Sequence, residues 1–69
     1  MNKGEISVHL KDFIVKNQLT QEEFSRLINA PLSSVNSWLH GKRSMSKIWQ
    51  KVLQDKMILP KETIALEFN

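Results

Sequence analysis

Apolar residues recur along this chain with helical spacing, in four separate blocks. Ile6, Leu10, Phe13 and Ile14 lie on one stripe and predict a first helix over residues 6–16, broken by Asn17-Gln18. Leu19-Thr20-Gln21-Glu22-Glu23-Phe24 carries a start signal for a second helix. Thr20 can cap it and Glu23 sits three residues on, which makes a capping box, while Leu19 and Phe24 form a hydrophobic staple. Glu22 and Glu23 favour the positive end of the helix dipole. The second helix presents Phe24, Leu27 and Ile28 inward and ends near Ile28 or Asn29, where asparagine tolerates a left-handed backbone. Ala30-Pro31 is a turn, and a third helix runs from Pro31 or Leu32 to His40, with Gly41 as its stop. Ser44 or Ser46 can cap a fourth helix, with Ile48, Trp49, Val52, Leu53 and Met57 as its apolar stripe and Pro60 at or beyond its end. From Thr63 to Phe68 the pattern alternates, with Ile64, Leu66 and Phe68 on one side. That predicts a short strand or an extended tail.

The third helix has an unusual outer side. Leu32, Val35, Trp38 and Leu39 cover one arc, and Ser33, Ser34, Asn36, Ser37 and His40 cover the rest. A solvated helix face is normally filled by Glu, Lys and Gln, which are better helix formers than serine. Small hydroxyl side chains make sense where another molecule must approach closely. A flat protein-binding surface is the alternative use of such a face.

With 69 residues the chain holds one domain, read as residues 1–59 with a tail at 60–69. It has no cysteine, so neither a disulfide nor a thiolate metal site staples it, and a reducing compartment suits it. No apolar run reaches membrane-spanning or signal-peptide length, so a cytoplasmic protein without membrane contact is expected. The net charge of +3 is modest, but its distribution is not even. Between Phe24 and Gln54 there is no Asp or Glu, whereas Arg26, Lys42, Arg43, Lys47 and Lys51 all fall there. Positive charge is thus concentrated around the serine-rich helix, as a polyanion site requires. Lys47 and Lys51 would equally suit a plain solvated face.

The run from Gln21 to Arg43 resembles the lambda-repressor and Cro superfamily of helix-turn-helix DNA-binding domains. Gln21 follows a threonine at the start of the second helix, and Ser25 is small where the two helices would cross. Val35 and Trp38 occupy the buried positions of the third helix, and Gly41-Lys42-Arg43 follows it. Asn29 stands where the family often has glycine. Leu32, Ser33 and Ser34 stand where it commonly has Gln, Arg or Asn. The resemblance implies an all-α fold of four to five helices, and a sequence-specific transcriptional regulator that binds double-stranded DNA. Members carried by phages and mobile elements are often this short.

In that motif the third helix lies in the major groove with its N-terminal residues at the base edges. The expected base contacts are Leu32, Ser33, Ser34, Asn36 and Ser37. Serine can bond several bases but discriminates modestly, by about 1 kcal/mol per position. Leu32 could meet a thymine methyl or belong to the core instead. Expected phosphate contacts are Gln21, His40, Lys42, Arg43 and Lys47, although His40 could simply cap the helix. Trp38 and Trp49 sit on apolar stripes and are expected in the core rather than against bases. Apolar residues left over near the end, among them Ile58, Leu59, Ile64, Leu66 and Phe68, suggest a self-pairing segment and a homodimer. The competing reading is a protein-binding module, such as an antirepressor or antitoxin that engages another regulator. No enzyme is expected. His9 and His40 lie on different helices without a local acid, and there is no phosphate loop, nucleophile elbow or metal spacing. No cofactor or metal is therefore called for.

Overall fold

A computed structural model describes residues 1–61. These residues form an all-α domain of four helices: α1 (Lys3–Lys16), α2 (Gln21–Ile28), α3 (Leu32–Leu39) and α4 (Lys47–Asp55). Three of the four begin on a side-chain cap. In α2 the Thr20 hydroxyl accepts from the Glu23 amide at 3.0 Å, and the Glu23 carboxylate accepts from the Thr20 amide at 2.8 Å. The first helix starts three residues earlier than its apolar stripe indicated. Asn2 and Glu5 make a second capping box there, with bonds of 2.8 and 2.9 Å. Its signal was polar, so apolar periodicity missed it. Ser46 rather than Ser44 caps α4, through the Trp49 amide at 3.3 Å.

All four helices end the same way. The chain turns through a left-handed residue: Gln18 after α1, Asn29 after α2, Gly41 after α3 and Met57 after α4, with φ of 54°, 59°, 66° and 63°. The next amide then reaches back to a carbonyl in the last turn. These bonds are Leu19 to Ile14 at 3.0 Å, Ala30 to Ser25 at 2.9 Å, Lys42 to Ser37 at 2.9 Å and Ile58 to Leu53 at 2.8 Å. This closure satisfies carbonyls that the helix leaves open. It also reverses the chain within a few residues, which keeps consecutive helices in contact.

The core is drawn from every helix. Ile6 and Leu10 of α1, Phe24 and Ile28 of α2, Val35, Trp38 and Leu39 of α3, and Leu53 of α4 are buried, together with Met45. α3 packs on both α1 and α2. Phe13 meets Phe24 with ring centroids 5.8 Å apart, and Trp38 meets Trp49 at 5.5 Å, both tilted as aromatic quadrupoles prefer. The buried Ser7 hydroxyl donates to the Leu39 carbonyl and so ties α1 to the end of α3.

Three expectations are corrected. Ile58 and Leu59, expected in a self-pairing segment, are both buried in this chain's own core. The turn at Met57 folds them back onto Leu53, to which both amides bond. Ile48 and Met57, expected on the inner stripe of α4 from their spacing, are 78% and 86% exposed. α4 turns its Trp49–Val52–Leu53 side inward, and Met57 lies past its end on a left-handed backbone. Leu27 is also exposed, because α2 buries the arc of Phe24, Ser25 and Ile28 instead. The expected strand or tail at 63–68, with Ile64, Leu66 and Phe68, lies outside the described residues.

Candidate functional site

α3 is held from beneath by Val35, Trp38 and Leu39, so its outer side is decided by packing. Ser33 and His40 are exposed there, and Ser34, Asn36 and Ser37 are half-buried around them. Leu32 is 41% exposed and lies at the edge of this face rather than in the core. The five residues expected at base edges thus all lie on the arc of α3 left outside the core, with Leu32 and Ser34 at its two edges. Small side chains make that side shallow.

The start of α3 differs from the other three. Pro31 precedes it in extended conformation and no side chain caps it. The carbonyl of Pro31 accepts from the Ser34 and Val35 amides at 3.1 Å each, as the first helical bonds do.

Gln21 opens α2 and reaches α3. The Asn36 side-chain amide donates to the Gln21 side-chain carbonyl at 3.1 Å. This bond engages the Gln21 oxygen and leaves its two N–H donors, which suit an anion. Ser25, small and buried, sits on the same helix, and its hydroxyl is satisfied by the Glu22 carbonyl at 2.8 Å. It therefore serves the helix contact and not a ligand.

At the far end, His40 follows the last turn of α3. Its Nδ1 lies 2.8 Å from the Asn36 carbonyl oxygen. Gly41 then turns the chain, and Lys42 and Arg43 follow, both exposed. Lys47 is exposed at the first position of α4. It lines a polar groove with Gln50 and Gln54, a different surface feature from the groove that holds Gln21 and His40. The fold therefore joins Gln21, Asn36 and His40 closely and leaves Lys47 on a separate groove.

Sequence reasoning overlooked Lys11. It lines the shallow groove between α1 and α3 together with Ile14, Val15, Gln21, Leu39 and His40. Nothing in the local sequence marks it. Only the packing of α1 against α3 puts it beside the ends of the serine face.

Among the described residues, no group of three His, Asp or Glu side chains is placed to hold a metal ion. None of the described helices is long and apolar enough to cross a membrane. Comparison with family models, with curated proteins and with solved structures found no match.

Proposed function

We propose that this chain is a transcriptional regulator that binds double-stranded DNA through a helix-turn-helix of the lambda-repressor and Cro kind. The observation that carries the reading is the outer face of α3. It is small, polar and accessible, it is tied to the start of α2 through Gln21 and Asn36, and it lies in an acid-free segment with Lys42 and Arg43 at its end.

In this reading α3 enters the major groove and α2 crosses the backbone. Leu32, Ser33, Ser34, Asn36 and Ser37 meet base edges, with Asn36 the best reader among them. Gln21, His40, Lys42 and Arg43 hold phosphates on the two sides of the groove, and Lys47 extends that contact. Phosphate contacts position the protein without reading sequence. One short helix with serine readers contacts few bases, so operator selection needs a second copy and sequence-dependent DNA shape. A homodimer on a two-fold site is part of the proposal. With Ile58 and Leu59 used inside the monomer, its contacts come from other residues. A cytoplasmic location, without cofactor or membrane, is part of the same proposal.

The test is a titration of random-library duplex DNA at two salt concentrations, with sequencing of the retained fraction. An enriched two-fold motif that is lost at the higher salt is the expected result, because groove binding through several phosphates weakens steeply with salt. Retention without any enriched motif, or no retention, overturns the reading in favour of a protein-binding module such as an antirepressor or antitoxin.

A further inference from the structure

We infer that binding of duplex DNA to this face takes up a proton at His40. The inference rests on the DNA-binding reading above and adds a linkage to pH.

The geometry at His40 fixes which ring nitrogen is protonated. Nδ1 lies 2.8 Å from the Asn36 carbonyl oxygen, one helical turn back. A carbonyl oxygen can only accept, so the hydrogen must be on Nδ1. In the neutral ring Nε2 then has no hydrogen and is itself an acceptor. Phosphate oxygens are acceptors too. A neutral His40 placed at a phosphate therefore brings two lone pairs together and forms no hydrogen bond. One proton from solvent, added at Nε2, changes this. The imidazolium has a donor facing the phosphate and a positive charge, while Nδ1 keeps its bond to Asn36. The resulting bond is charge-assisted. The proton returns to solvent when the DNA leaves.

The surroundings point the same way. The groove beside His40 is lined by Lys11, Ile14 and Val15 of α1, Gln21 of α2 and Leu39 of α3. Lys11 is the charged member of that set, Gln21 is neutral, and α4 contributes no lining residue. Lys42 and Arg43 follow His40 in the chain. Asp12, next to Lys11, is ion-paired with Lys16 at 3.2 Å. With no carboxylate in that groove, the negative partner for an imidazolium at this place is the bound polyanion.

The experiment measures the affinity of the full chain for a random-sequence duplex pool across the neutral pH range, at fixed low salt. Three proteins are compared: wild type, His40→Gln and His9→Gln. Wild-type affinity is expected to fall about three- to fivefold between about pH 6 and about pH 7.5. In His40→Gln the amide donates at every pH, so the slope vanishes. His9 lies on α1 against the 54–61 segment, so His9→Gln keeps the slope. Calorimetry in two buffers of different ionisation enthalpy should then show uptake of about 0.3–0.5 proton per chain by wild type, as that slope requires, and none by His40→Gln. A pH-independent wild type, a slope that survives in His40→Gln, or one that disappears in His9→Gln overturns the inference while DNA binding stands. Absence of retention at every pH overturns the DNA-binding reading and this inference with it.

Discussion

The side-chain amide of Asn36 in α3 donates to the side-chain carbonyl of Gln21 at the start of α2, at 3.1 Å across fifteen residues of chain. This bond orients both side chains. It leaves the Gln21 N–H groups and the Asn36 oxygen outside this bond, the first suited to a phosphate and the second to a base donor. The two residues are therefore coupled. Asn36→Ala and Gln21→Ala should each destabilise the fold by about 0.5–1.5 kcal/mol, and their effects should not add. A double-mutant cycle by urea unfolding checks this. Strict additivity would show that the bond carries no energy. In DNA binding the same cycle should again be non-additive, because either deletion releases the other side chain.

Arg43 follows α3 beyond Gly41 and is exposed. Arg43→Ala is expected to weaken binding to all duplexes alike and to lower the salt slope of affinity by about one. The double substitution Ser33→Ala with Ser37→Ala should instead change the order of preference among sites. Affinity against salt for each variant, on several sequences, separates the two behaviours. An unchanged slope would remove Arg43 from the phosphate contacts.

The four left-handed helix ends differ in their residues, and stability should follow. Met57 holds φ of 63° with a large, exposed side chain that loses little packing when removed. Met57→Gly is expected to stabilise by about 0.5–1 kcal/mol, the relief of an unfavourable left-handed backbone offsetting the entropy of glycine. Gly41→Ala is the converse. A side chain there meets nothing within 4 Å, so its cost, about 1 kcal/mol, is backbone strain alone. Thermal or urea unfolding of both variants is sufficient. Equal stability of Met57→Gly and wild type would show that the strain is already relieved in the native turn.

Leu59 is buried and Ile48 is exposed, although both are large aliphatic residues near the end of the described chain. Leu59→Ala should cost about 2–4 kcal/mol, as buried large-to-small changes do. Ile48→Ala should stay within about 0.5 kcal/mol of wild type. The Leu59→Ala effect should not depend on protein concentration, because the contact lies within one chain. A loss confined to high concentration would return Leu59 to an interface between copies.

The local decisions of this fold were legible from residues a few places apart. Thr20 with Glu23, Asn29, Pro31 and Gly41 each act on a backbone that reaches no further than one helical turn, so they marked where α2 and α3 begin and end. The capping box at Asn2 and Glu5 was equally local and equally present, but its residues are polar and precede the apolar stripe. The serine face of α3 was also legible, since Val35, Trp38 and Leu39 define the opposite arc by spacing alone.

The sequence by itself thus determined four short helices, their caps, the outer face of α3 and the cluster of positive charge around it. Tertiary structure decided which of several apolar residues would be covered. Apolar spacing shows that a helix has an inner side but not how wide a neighbour will cover it, and Leu27 and Ile48 fall on apolar spacing yet stay exposed. It also decided what meets across the chain. Gln21 beside Asn36, Lys11 in the groove with His40, and Ser7 on the Leu39 carbonyl join residues on different helices. A hydrogen bond or a shared groove depends on distance in space, and only the packing of α1 and α2 against α3 sets that distance.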